Sequence, residues 1–358
     1  MDNETRKMLK ELTDAHGVPG FEGEIRTIIR KYLAPMTTIE TDNIGGIICR
    51  KVGDPDGPVV MIPGHMDEIG FMVRHITKEG FIKFAPLGGW FDQVLLSQRV
   101  VVKGRKGDIL GMIGSKPPHM LPPEERAKVI SKDNMFIDIG ASNDKEAERK
   151  FGVRVGDPIF PDAKFTEMKN PKLLLSKAWD DRVGCAMFIS AIRRLRRVKH
   201  PNIVCGVGTV QEEVGTRGAK TTASAVNPDV CIVAESGIAT DTPGFKPEEA
   251  TCKLGKGPVI YLLDSGMIGH TKLRDLVMDT AKKSRIPIQV GVLLGGATDG
   301  REVHLHQRGV PSIVIGVPAR YIHSHVGIIH ADDYDNSIKL LVAVIQKLDA
   351  RTVKKLKE

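Results

Sequence analysis

The sequence predicts an α/β protein: a mostly parallel central sheet with helices on both faces, interrupted by a small β-barrel or sandwich. Three observations carry this prediction. Helix-like and strand-like periodicities alternate over 1–70 and again over 173–358. Between them, over 71–172, short β-like runs follow one another between Gly, Pro and Asp-Gly-type turns. The run PVVMIPGH around Val59 to Pro63 is apolar without alternation, as a central strand covered on both faces requires. A length of 358 residues suits two compact units, or one large domain with an insertion, at about 150 residues per domain.

Taken in order, two amphipathic helices open the chain, separated by Gly17 and Pro19. The second carries Ile25, Ile28, Ile29, Tyr32 and Leu33 at helical spacing and stops before Pro35. Strands follow around Ile47 and from Val59. From about Gly70 to Lys172, the runs FMVRHI, FIKFAPL, RVVVKG, GDILGMIG, MFIDIG and DPIFP read as strands. One helix interrupts them, with Asn143 as N-cap, Glu146 three residues on, and Gly152 past its end. The remainder predicts helices over Val183–Arg197, Gly218–Val226 and Lys272–Ser284, and a closing helix over Asp333–Leu348. Strands are predicted over Ile203–Val210, Val230–Ala234, Ile288–Leu293 and Ser312–Val317. On a sheet of this kind the functional site is expected at the carboxyl ends of the strands.

Composition removes several classes of function. With 41% hydrophobic and 27% charged residues the chain can bury a core and is not a disordered polymer. Lys+Arg 52 against Asp+Glu 44 leaves +8, not gathered in a basic tract, and 5% aromatics make a stacking platform for nucleic acid improbable. The cluster Arg193, Arg194, Arg196, Arg197, Lys199 reads most simply as the solvated C-terminal end of a helix. Five cysteines without a CxxC pair argue against a disulfide framework and for a reducing cytoplasm. No signal peptide and no apolar run of the ~20 residues that span a membrane are evident.

Several strand ends deliver ionisable side chains. One strand ends in Gly64-His65-Met66-Asp67, where an imidazole can bind a metal and a nearby carboxylate can orient it. Asp180 and Asp181 stand at a helix start, where Asp is commonly an N-cap but can also bridge two cations. The strand IVCGVGTV runs into Gln211-Glu212-Glu213, two adjacent carboxylates that are costly beside a core unless something cationic neutralises them. Glu235 follows VCIVA, and His323 follows the strand from Ser312. Two histidines and three carboxylates, His65, Asp180, Glu213, Glu235 and His323, match a pair of Zn²⁺, Co²⁺ or Mn²⁺ ions. Such a pair shares a water and lowers its pKa towards ~7, and Glu212 is left free to carry its proton to a leaving amine.

In sequence order, GHMDEIGFMV, GGWFDQVLLSQRV, KAWDDRVGC, QEEVGTRGA, DTPG, GGATDG and VPARYIHSH resemble the tetrahedral (TET-type) dinuclear metalloaminopeptidases, with their glutamyl, leucyl and deblocking members. The resemblance spans nearly the whole chain and implies a zinc-peptidase-like fold, peptide substrates and two divalent ions, Zn²⁺ or Co²⁺ and possibly Mn²⁺. It implies that His65 binds one ion with Asp67 orienting it, that Asp180 bridges, that Glu213 and His323 bind the second ion, and that Glu212 is the general acid/base. Glu235 falls where the family usually has Asp and would be the remaining ligand of the first ion. Gly295, Gly296, Thr298 and Asp299 would lie near the substrate. The 71–172 insertion would serve self-association into dimers and a hollow dodecamer that admits short peptides.

Other readings stay open from the residues alone. A dinuclear carboxypeptidase or deacylase needs the same water activation, and an inactive assembly protein would be expected to lack ligands. Glycoside hydrolysis needs carboxyl groups facing each other ~5–9.5 Å apart, which adjacent Glu212 and Glu213 do not suit.

Overall fold

A computed structural model describes residues 1–246 and 248–358. Helices α1 (Asn3–Asp14) and α2 (Gly23–Leu33) are followed by strands β1 (Thr38–Thr41), β2 (Ile47–Val52) and β3 (Val59–His65). The predicted β-rich stretch supplies β4 (Gly70–Ile76), β5 (Ile82–Leu87), β6 (Arg99–Gly104), β7 (Gly107–Gly114), the short helix α3 (Pro123–Arg126), β8 (Phe136–Asp138) and β9 (Pro158–Pro161). Then come β10 (Thr166–Glu167), β11 (Leu173–Ser176), α4 (Trp179–Leu195), β12 (Ile203–Thr209), α5 (Arg217–Val226), β13 (Val230–Ile238) and β14 (Val259–Leu263). The chain continues with α6 (Thr271–Lys283), β15 (Gln289–Val292), α7 (Gly300–Val303), β16 (Ser312–Arg320), β17 (Gly327–His330), α8 (Ala331–Ile345) and α9 (Ala350–Lys357).

Eleven strands form one sheet whose main path is β1-β2-β12-β3-β13-β16-β17-β11-β10, with β14 joined to β16 and β15 to β14. The predicted parallel pattern is found at its centre, where β12, β3, β13 and β16 run parallel. The flanks are antiparallel, because β2, β14 and β17 oppose the strands they border. Central strands are buried on both faces, and the two-residue period divides their side chains between two cores. Ile62, Val204, Ile232 and Ile313 join one core with α1, α2, α4, α6 and α8. Met61, Cys205, Val233 and Val314 join the other, beneath α5. The apolar runs in the sequence are continuous for this reason. Among the described residues no helix is long and apolar enough to cross a membrane, and all five cysteines are buried and unpaired.

The insertion closes as a six-stranded barrel, β4-β5-β8-β7-β6-β9, around its own core of Phe71, Val73, Ile82, Val100, Val102, Ile113 and Ile137. The helix predicted after Asn143 is a π-helical segment, Glu146–Phe151, with the expected caps. Asn143 accepts from the Glu146 amide at 2.9 Å, the Glu146 carboxylate accepts from Ser142, and Gly152 ends it at φ 83°. The predicted closing helix is found as α8, and a further helix, α9, follows it, with Asp349 capping its start by accepting from the Thr352 amide. Glu68, just before the barrel's first strand, and Lys177, after β11, form a buried ion pair of 2.5 Å. Arg182 approaches the same Glu68 oxygen at 3.2 Å and donates to the carbonyls of Leu12 and Gly17 in the α1–α2 region.

Candidate active site

All four parallel strands deliver ionisable residues to one edge of the sheet. His65 ends β3, Glu235 lies near the end of β13, Glu212 and Glu213 follow β12, and His323 follows β16. Asp180 and Asp181 open α4 with non-helical backbone, which separates their side chains. Asp181 caps the helix by accepting from the Gly184 amide at 2.9 Å and also accepts from the His65 amide at 3.1 Å. Asp180 turns instead between the two histidines: Oδ1 lies 3.1 Å from His65 Nε2 and Oδ2 3.3 Å from His323 Nε2. The cap and the bridge, which the sequence left as rival readings of either aspartate, thus fall to different residues.

Two donor groups result. His65, Asp180 and Glu235 form one, Asp180, Glu213 and His323 the other, each with ligand atoms within 4.8 Å of one another. Asp180 belongs to both. The histidines share a further feature: Nδ1 of His65 donates to the Asp67 carbonyl at 2.9 Å, and Nδ1 of His323 donates to the Gly89 carbonyl at 2.7 Å. A carbonyl oxygen only accepts, so Nδ1 carries a proton and Nε2 is the nitrogen each ring turns to the centre.

Asp67 orients His65 through this backbone carbonyl; its carboxylate is 3.7 Å from Nδ1 and does different work. It accepts from the amides of Glu212 and Glu213, both at 3.0 Å, while buried Glu22 accepts from the Gln211 amide at 3.1 Å. Three consecutive amides are therefore held by two buried carboxylates, and Gln211 adopts φ 57° to permit it. Gly88 and Gly89, from the loop leaving the barrel strand β5, close the other side. A Cβ on Gly88 would fall 2.9 Å from Glu213 Oε2, and one on Gly89 would fall 3.1 Å from His323 Nδ1.

The charge balance at this edge is strongly negative. Burial, then Asp180, pushes the Glu213 carboxyl up to about 8. Burial and neighbouring carboxylates also hold Glu212 and Glu235 well above the ordinary range. Burial would raise Asp180 too, but hydrogen bonding to His323 and His65 overcomes it and keeps this carboxyl low. Burial opposes protonation of His323, yet Asp180 and Glu213 lift it to about 10. Among the described residues no Lys or Arg pairs with Asp180, Glu212, Glu213 or Glu235, and Glu213 Oε1 is buried without a partner. Clustered buried carboxylates, two imidazoles that turn Nε2 to the same Asp180 and an orphaned oxygen fit a pair of divalent cations.

A cavity of about 510 Å³ opens over both groups. Gly295, Gly296 and Thr298 line it, while Asp299 lies behind the wall, 1% exposed, accepting from Thr209 Oγ1 at 2.5 Å. Its proximity to substrate was expected, but burial against β12 turns it away from the cavity. Sequence reasoning missed Glu22 and the Gly89 carbonyl, and neither left a signal in the sequence.

Comparison with known proteins completes the picture. A family model described as M42 glutamyl aminopeptidase matches residues 45–340, and a shorter one named AMPT matches residues 3–28. The structure of a TET aminopeptidase from the marine sediment archaeon Thaumarchaeota archaeon SCGC AB-539-E09 superposes with a TM-score of 0.97 at 45% identity, covering 99% of each chain. A Pyrococcus horikoshii TET1 peptidase that can assemble into a tetrahedron or a large octahedral shell gives 0.85 at 33%, over 96% of this chain and all of that one. A lysyl aminopeptidase of Pyrococcus furiosus is 33% identical over 96% of this chain and 97% of its own.

Proposed function

Since the chain belongs to the M42 glutamyl aminopeptidase family and is an aminopeptidase, we propose that it releases the N-terminal residue of short peptides with two divalent cations and Glu212 as proton carrier. The observation that carries this reading is the pair of donor groups joined through Asp180, with the Glu212 carboxylate beside them and no donor reaching it among the described residues. His65, Asp180 and Glu235 would hold one cation, and Asp180, Glu213 and His323 the other.

Bound there, two divalent cations supply Lewis acidity, which lowers the pKa of a water towards ~7 and polarises the scissile carbonyl. Glu212 accepts the proton of the attacking water as oxygen bonds to carbon. It returns that proton to the departing nitrogen as the C–N bond breaks. Its environment favours this exchange, because burial and adjacent carboxylates raise its proton affinity. Asp67 and Glu22 keep the 211–213 turn fixed while Glu212 changes protonation state. Reconstitution with Zn²⁺, Co²⁺ and Mn²⁺ in turn identifies the native metal by the turnover each supports.

Glu212→Gln is the test. Cation content should stay at two equivalents while turnover of aminoacyl anilides falls at least ~10²-fold. Turnover near that of the wild type would remove Glu212 from the reaction.

The unit over 71–172 we assign to self-association, in the cytoplasm, as the buried free thiols suit. Exposed Leu110, Met112, Met120 and Val129 on the insertion support an apolar contact surface. The assembly of the similar Pyrococcus horikoshii protein supports it as well. Light scattering that finds only monomers at micromolar concentration would end that assignment.

A further inference from the structure

A second, much smaller cavity of about 20 Å³ also touches Asp180, Glu213 and His323, the members of one donor group. Its other walls include Glu68, Trp179 and Gly327. Three polar atoms of these residues, Glu68 Oε2, Glu213 Oε1 and Trp179 Nε1, have no hydrogen-bond partner among the described residues. All three are deeply buried: Glu68 and Glu213 expose 2% and 4% of their side chains, and Trp179 is 1% exposed. Buried polar atoms are costly without a partner, so three around one cavity call for a shared one. Glu68 Oε1 is already taken by Lys177 at 2.5 Å and Arg182 at 3.2 Å, and neither of these lines the cavity. Glu68 therefore meets the cavity with Oε2. Gly327 shows how the indole lies, since a Cβ there would fall 3.2 Å from Trp179 Cδ1, the ring carbon bonded to Nε1. The N–H edge of Trp179 is on the cavity side.

We propose that this cavity holds one ordered water that braces the Glu213 carboxylate, with Glu68 and Trp179 as positioning residues for the cation of the His323 group. The water site stands on the three orphaned atoms, and its effect on a cation rests on the dinuclear reading above. The size fits, because a single water needs about 10–15 Å³ of such space. The chemistry fits as well. The water donates one O–H to Glu68 Oε2 and the other to the Glu213 carboxylate, and it accepts from Trp179 Nε1–H. Three such bonds are usual for a buried water. A cation would face an indole N–H, which only donates, and an anion would face two carboxylates. A carboxylate accepts at about four lone-pair positions, so Glu213 can bind a cation and this water together. The water then links Glu213 to Glu68, and through it to Lys177 and Arg182. A ligand borne on a loop gains by this route a connection to buried, charged groups of the body.

A high-resolution crystal structure of the full-length, metal-loaded enzyme should show solvent density within hydrogen-bond distance of all three groups. Absence of density there, or an anomalous signal that marks a metal, overturns the proposal. Two variants test the positioning role. Trp179→Phe removes the N–H and keeps an aromatic ring against Phe165, while Gly327→Ala puts a methyl into the cavity. In chelator competition each should weaken one cation about tenfold, the lower end for losing a ligand's supporting partner, and leave the other unchanged. The affected cation should be the one that His323→Ala loses. Each variant should also shift the visible absorption of Co²⁺ bound there, a signature that general loosening of the fold would not confine to one ion. The double variant should be no weaker than the weaker single variant, because both act on the same water. Losses that multiply, losses shared equally by both cations, or no loss in either variant would each overturn the positioning role. If wild type takes up fewer than two cations, the dinuclear reading fails instead, and the density in the cavity still decides on the water.

Discussion

The two halves of the centre are made of different material. His65 and Glu235 stand on β3 and β13, strands buried on both faces, and the His65 side chain is 2% exposed. Glu213 and His323 stand on loops. His323 has φ 55°, its side chain is 41% exposed, and its ring rests on a backbone carbonyl of the barrel loop. The first half is fixed by the core of the sheet, and the second by a contact between the sheet and the insertion. The difference teaches that two similar donor groups can differ in hold: on the proposed reading the loop-borne group should release its cation first.

The largest effect tests whether the halves are joined at all. Asp180→Ala should take cation content below one equivalent and lower hydrolysis by at least ~10²-fold, since both donor groups lose a member. Two equivalents retained in metal analysis would break the idea of a shared bridge. A smaller effect sharpens the asymmetry. During titration with a chelator, wild type should lose its cations in two phases. Gly89→Ala, which puts a methyl against the His323 ring, should weaken only the first-released cation, by about tenfold, the lower end for disturbing a ligand's hydrogen-bond partner. Equal weakening of both would show that the barrel loop does not belong to one half.

The donor residues of both halves were legible in sequence, and the contacts that hold them were less so. An apolar run ending in a histidine or a carboxylate is a local pattern, so His65, Glu213 and Glu235 could be read without knowing which strands are neighbours. The four central strands were found for the same reason. Of the antiparallel flanks β2 was found, but β10, β11, β14 and β17 were not: these are two to five residues long, and they are strands only because a distant segment pairs with them. Gly89 acts through a carbonyl oxygen, which no residue type announces. Asp299 reads from composition like any carboxylate in a glycine-rich loop, and only its burial beside Thr209 removes it from the cavity. The carboxylate of Asp67 reaches two amides of a turn 145 and 146 positions away, a link set by topology alone.

The ion pair between Glu68 and Lys177 joins positions 109 apart. The barrel leaves and rejoins the body through this one fastened neck, so the detour in the chain opens no gap in the sheet. The entropy of closing such an excursion grows only with the logarithm of its length, about 0.6 kcal/mol per doubling. Residues at the far tips can therefore lengthen, shorten or be exchanged between related chains at little thermodynamic penalty. The freedom stops at the loop bearing Gly88 and Gly89, where the excursion touches the chemistry.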